Sequence, residues 1–377
     1  MGPSEIPQPL ITSGRGYGWL YALYLHIGAG ILRTIVWLMT STGKNLDRVV
    51  MIQTPGLGPG KVRCALGFPA SLDPSDQPSE NLGRFPLVIV LEGGGFVLGQ
   101  PEDGERNNRL VATKEEEASP DKTPIRVCNA VLMLTSGQTR SVVLSVDYAK
   151  SPRYPFPHAL LRIYEVVRWA TSSEGQAVMG VSIDPSRVAF MGNSAGGNLA
   201  ASLSLLLSFR SGPCARFSEA LPPTFRQLLQ ILLYPSVECH HSYQTRYQRC
   251  TMDVQAKSLP IAVAELMEAS YLPPSVAKEQ IFIAPLLANP ALLNQLQVPS
   301  ALILTAGMDC LKDEAELYAR NLEIAGVCVK IKQYPDAIHG FSHYTEGHRG
   351  FRAVDVADCW KEVCDALNNV FHPASGL

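Results

Sequence analysis

The sequence is short of charge and of the side-chain pairings that betray a metal or redox centre. Charged residues make up only 18% of its 377 positions and the formal net charge is −2, so nothing electrostatic favours nucleic acid as a partner. Nine cysteines (Cys64, Cys128, Cys214, Cys239, Cys250, Cys310, Cys328, Cys359 and Cys364) are scattered through the chain. None forms a C-x-x-C pair or joins a histidine cluster at zinc-ligand spacing, so neither metal nor cofactor is expected. An odd, dispersed set fits buried thiols better than a disulfide framework, which points to a cytoplasmic setting. No internal repeat is visible. What is abundant is apolar residues, 46% of the chain, enough for one large α/β domain.

Apolar runs and helical segments alternate. Phe85–Leu91 and Ser141–Val146 are continuous enough to be strands covered on both faces, as are runs within Arg226–Tyr234 and Ala301–Thr305. Val327–Tyr334 alternates and reads as a strand near the sheet edge. Helical segments fall at roughly 158–171, 196–208, 312–325 and 351–370. Together they predict an α/β fold with a mostly parallel central sheet and helices on both faces. Residues 112–127, with Lys114-Glu115-Glu116-Glu117, read as a solvated surface insertion. Residues 239–275 do not read as sheet; with the aromatic N-terminus they form a helical cap.

At the N-terminus, Gly16 to Leu32 carries no formal charge and is rich in Tyr, Trp and Leu. The region before it lacks a basic cluster and holds Pro3, Pro7 and Pro9, which argues against a signal peptide. Arg33, His26 and the glycines weaken a membrane span. The preferred reading is a helix covering an apolar pocket, with membrane contact through residues 16–40 as the alternative.

One hexapeptide points to chemistry. Gly192-Asn193-Ser194-Ala195-Gly196-Gly197 lies between the strand-like Arg187–Met191 and an Ala/Leu-rich helical run. A G-x-S-x-G at such a junction is a nucleophile elbow, where glycines allow a tight turn that projects the serine oxygen at a helix N-terminus. A serine hydroxyl needs a base within hydrogen-bond reach and an acid to orient that base. Among the downstream histidines His240, His241, His339, His343, His348 and His372, His339 stands just beyond a strand's carboxyl end. Asp309 is the best-placed acid, after the strand 301–305; Asp313 and Glu314 read as helix caps and Asp336 is a weaker alternative. The glycines of Glu92-Gly93-Gly94-Gly95-Phe96 follow the strand 85–91 and suit an oxyanion hole, with the N–H of Ala195 as a further donor.

These blocks resemble the hormone-sensitive-lipase-like, or HGGG, branch of the α/β-hydrolases. The likeness runs over about residues 85–345 and includes Ser145-Val146-Asp147-Tyr148, Tyr234-Pro235, Ala284-Pro285-Leu286 and His339-Gly340-Phe341. It implies Ser194 as nucleophile, His339 as general base, Asp309 as orienting acid, and Gly93, Gly94 and Ala195 as oxyanion donors. It also implies a cap from N-terminal helices (residues 1–50) on a core (51–377) with an insertion at about 239–275, and a homodimer. Glu92 departs from the family's histidine. A carboxylate aimed at the hole would oppose the oxyanion, so Glu92 either fills a structural role or handles a substrate proton.

The expected activity is hydrolysis of a small or medium hydrophobic carboxylic ester through an acyl-enzyme. The alternative is acyl transfer or lactonisation in secondary metabolism with the same triad. A non-catalytic ligand-binding relative is the third reading. Asp147, His158 and the His240-His241 pair are read as structural rather than catalytic or metal-binding.

Overall fold

The computed structural model describes residues 16–40, 48–68, 84–104 and 139–373. The expected insertion at 112–127 lies outside them. The sheet has eight strands: β1 (Arg48–Gln53), β2 (Lys61–Gly67), β3 (Phe85–Leu91), β4 (Val142–Asp147), β5 (Ile183–Asn193), β6 (Gln227–Leu233), β7 (Ser300–Met308) and β8 (Val329–Ile338). They run in the order β1-β2-β4-β3-β5-β6-β7-β8. β1 and β2 are antiparallel to their neighbours, whereas β3 to β8 are mutually parallel. β3 shows why the central strands are continuously apolar. All seven residues are buried, with Leu87, Ile89 and Leu91 in one core and Val88 and Val90 in the other. The alternating β8 is indeed an edge strand. Its Lys332 reaches Glu362 at 3.0 Å.

The helices are α1 (Trp19–Thr40), α2 (His158–Ala170), α3 (Ser173–Met179), α4 (Ala195–Ser208), α5 (Ala215–Glu219), α6 (Tyr243–Gln248), α7 (Met252–Lys257), α8 (Ile261–Tyr271), α9 (Pro290–Leu296), α10 (Lys312–Ile324) and α11 (Ala353–Phe371). The larger core lies between the sheet and α2, α4 and α10, and the smaller lies beneath α11. Every residue of α4 is buried, which explains its Ala/Leu composition. Two short helices escape the periodicity argument but carry local start signals. Ser172 accepts from Gly175 N at 3.1 Å before α3, and Asn289 accepts from Leu292 N at 2.9 Å before α9.

Residues 239–275 form α6, α7 and α8 and no strand. α8 lies against the glycine loop after β3: Phe96 stacks on Tyr271 with ring centroids 3.6 Å apart, and Met267 packs so closely on Gly95 that no Cβ would fit there. α1 rests on α8, with Gly28 flush against Leu266. The preferred reading of α1 as a pocket cover does not describe most of its surface. Leu25 and Ala29 are buried, but the large side chains from Trp19 to Leu38 point predominantly outward, because one narrow stripe makes the whole contact with α8.

A buried ion pair ties this region to the sheet. Arg246 of α6 lies 3.2 Å from Glu314 at the start of α10. Glu314 Oε1 also accepts from Val237 N at 2.7 Å, just beyond β6. Removing one partner strands a buried charge. Arg246→Ala is therefore expected to lower unfolding free energy by about 3–5 kcal/mol, read as a reduced urea midpoint at unchanged slope.

Candidate active site

Ser194, Asp309 and His339 each follow the carboxyl end of a parallel strand, β5, β7 and β8 respectively, where open α/β sheets gather functional groups. Ser194 has φ 54° and ψ −119°, a strained conformation for a residue with a side chain. It persists because its surroundings leave no other path. A Cβ at Gly196 would overlap the Leu91 carbonyl oxygen, and one at Gly192 would overlap the Gly196 carbonyl. Ser194 N donates to Leu233 O at 2.9 Å, and Ser194 O accepts from Asn198 N at 3.1 Å. Asn198 Nδ2 in turn donates to the Ser236 and Ile283 carbonyls, each at 2.7 Å.

The three side chains form one hydrogen-bonded line. His339 Nε2 lies 2.9 Å from Ser194 Oγ, and His339 Nδ1 lies 2.7 Å from Asp309 Oδ2. The other carboxylate oxygen of Asp309 accepts from Leu311 N at 3.1 Å, so the carboxylate is held at both ends. Tyr344 Oη fixes the His339 carbonyl at 2.7 Å. Burial disfavours the imidazolium, but the charge of Asp309 and its hydrogen bond outweigh that, leaving His339 with a pKa above its ordinary value.

The glycine loop and the elbow face each other: Gly93 lies so close to Ser194 that a Cβ there would sit 3.0 Å from Ser194 Cβ. The oxyanion-donor set differs from expectation at one position. Gly93 N donates to Asn193 Oδ1 at 2.8 Å and is committed to joining the two loops. The N–H groups of Gly94 and Ala195 donate to no protein acceptor among the described residues and stand available for an anion.

Glu92 is 3% exposed. Its Oε2 lies 3.2 Å from His343 Nε2, its Oε1 is packed on Gly104, and its backbone carbonyl accepts from Tyr148 Oη at 2.7 Å. His343 Nδ1 continues the network to Ser342 Oγ at 2.9 Å and Tyr234 Oη at 3.1 Å, and the Tyr234 ring meets His339 edge-on at 5.0 Å. His343, Tyr234 and Asn193 are thus parts of the site that motif reasoning passed over. His343 was a histidine without an assigned task. Only the fold brings it to the unusual carboxylate.

The side chains set aside are engaged elsewhere. Asp147 pairs with Arg63 and Lys150 at 3.3 and 3.2 Å. His158 Nδ1 accepts from Gly58 N at 3.4 Å, and Asp336 pairs with Arg352 at 3.0 Å. Glu238, His240 and His241 bring ligand atoms within 4.8 Å of one another, but Arg249 already holds Glu238 at 2.9 Å.

The family model for the alpha/beta hydrolase fold matches residues 123–343. The chain belongs to the α/β-hydrolase fold family. This hydrolase is 28% identical over 261 residues to carboxylesterase NlhH of Mycobacterium tuberculosis, covering 69% of this chain and 68% of that protein. It is 26% identical over 320 residues to neutral cholesterol ester hydrolase 1 of Bos taurus, covering 73% and 71%. Among solved structures, a thermostable esterase from Pseudomonas putida superimposes with a TM-score of 0.66 at 23% identity, over 96% of this chain and 99% of that one. At that identity the likeness speaks for the fold.

Two outcomes test the electrostatics of this hydrolase's site. By NMR, His339 should titrate above the ordinary value of about 6.5, and Asp309→Asn should bring it down. Glu92→Gln should keep kcat/KM within about ten-fold, because its partner is His343; a loss of about 10²–10⁴-fold would instead assign Glu92 a proton-transfer role.

Proposed function

We propose that this hydrolase cleaves a carboxylic ester through an acyl-enzyme formed on Ser194. The single observation that carries this is the unbroken line from Asp309 through His339 to Ser194, at 2.7 and 2.9 Å. Attack begins as His339 Nε2 takes the hydroxyl proton and Ser194 Oγ adds to the ester carbonyl. The imidazolium that forms is stabilised by Asp309, whose hydrogen bond to Nδ1 also selects the tautomer with Nε2 free to accept. Negative charge collects on the former carbonyl oxygen, where the N–H groups of Gly94 and Ala195 supply preorganised donors. His339 then returns its proton to the departing alkoxide. Water, activated by the same imidazole, adds to the acyl-enzyme, and collapse releases the acid and restores Ser194.

A small or medium hydrophobic ester suits the apolar wall that Met267, Phe96 and Tyr271 build along the glycine loop. Water as the acceptor accords with relatives named for ester hydrolysis. A cytoplasmic setting is part of this reading; the cysteines of the described residues are free thiols, as a reducing compartment permits.

Ser194→Ala should abolish labelling by a fluorophosphonate and lower kcat by about 10⁴–10⁶-fold. Labelling or turnover that persists in that variant would exclude the acyl-enzyme. In ¹⁸O-water the acid product should carry one solvent oxygen. The acid limb of kcat/KM should lie above pH about 6.5, because the base works only when neutral and its pKa is raised.

A further inference from the structure

α1 presents far more apolar surface than its packing uses. Between Gly16 and Thr40 the only formally charged residue is Arg33, and its guanidinium is turned back onto the protein. Its Nε and Nη2 donate to Val97 O and Ser151 O at 3.1 and 2.6 Å, in the loops after β3 and β4. On the other side Trp19 is 74% exposed, Leu20 64%, Tyr21 44%, Ile27 54%, Ile31 55% and Trp37 59%. At about 100° per residue these positions sweep an arc of about 200°. We propose that this arc binds one leaflet of a lipid bilayer, with α1 lying in the plane of the membrane surface.

Three features select that occupant. A partner helix, including that of a second copy, covers a stripe of about 100°, so half of this arc would stay wet. A fluid apolar medium covers all of it. The arc carries no charge of either sign, which matches hydrocarbon and gives an acidic headgroup nothing to attract. Trp19 and Trp37, about five full turns apart, lie along one edge of that arc, and aromatic rings with one polar edge prefer the boundary between lipid and water.

The pose follows from the anchor. α1 has 22 residues, so its length of about 33 Å would cross a hydrocarbon core of about 30 Å. Yet Leu25 and Ala29, in its middle, are buried against the protein, and Arg33 is bonded to core carbonyls. A spanning pose breaks those contacts; an in-plane pose keeps them and immerses the outward arc. α1 rests on α8, and α8 forms the wall of the glycine loop. The bound face therefore lies on the cap side of the site, and the substrate class becomes an ester dissolved in the membrane. This last step rests on the ester-hydrolase reading, whereas lipid binding does not.

The test uses the full chain with Ser194→Ala, so that lipid hydrolysis cannot confuse the readout, and large unilamellar vesicles of phosphatidylcholine. The protein should co-sediment with these neutral vesicles equally at low and high salt. Trp fluorescence should shift to the blue and be quenched most by lipids brominated near the headgroup. Leu20→Gln/Ile27→Gln/Ile31→Gln should weaken partitioning by at least about ten-fold. In the Ser194 background that triple variant should hydrolyse a water-soluble short-chain ester at the parent rate. Failure of the parent to co-sediment overturns the proposal, as does a dimer that the triple variant dissolves. Resistance of the bound protein to carbonate extraction overturns the in-plane pose. Lipid binding without any esterase activity would uphold the surface and remove the substrate assignment.

Discussion

The site depends on a steric constraint at one crossing. The first turn of α4 passes so close to the end of β3 that Gly196 touches the Leu91 carbonyl. No side chain fits between them. That contact forces the turn at Ser194 into its strained backbone and sets the serine beside the glycine loop. It also brings Asn193 within reach of Gly93 N. Nucleophile and anion donors therefore come from two segments far apart in sequence, yet they are registered by backbone contact rather than by flexible side chains.

Much of this was legible in the sequence because the elbow, the acid and the base each follow a strand that its composition reveals. Ser194, Asp309 and His339 could be named from the order of motif and strand, and the structure brings those three side chains together. What could not be read depends on packing between distant segments. Nothing near Glu92 announces His343 as its partner. Nothing in three consecutive glycines says that the first gives its N–H to Asn193 while the second keeps its own free. For α1, composition gave a choice between a buried and a lipid-facing helix. Apolar side chains predominate all round the helix, so only the position of its contact stripe separates a covered face from an open one. The helices α3 and α9 are too short for periodicity to register, and capping residues are their only sequence trace.

Glu92 illustrates how a carboxyl group can be buried beside a catalytic serine without acting against the chemistry there. In a low-dielectric pocket an unpaired carboxylate would act against any oxyanion nearby. Here its oxygens are taken up by His343 and by close packing on Gly104, and the network continues through Tyr234 to the face of His339. The carboxyl group is thus part of the scaffold that surrounds the histidine ring.

The location of His339 carries a further consequence for how the protein fails. Its loop hangs from β8, the edge strand, which is hydrogen-bonded on one side only. Edge strands open at lower free energy than the sheet's centre. A brief fraying of β8 would draw the imidazole away from Ser194 and open the part of the smaller core that Tyr334 and Ala337 fill, while β3 and β5 at the sheet's centre stay paired. Heat or mild denaturant would then switch the enzyme off reversibly before the domain melts, and its working range would be set by the fastening of a single strand.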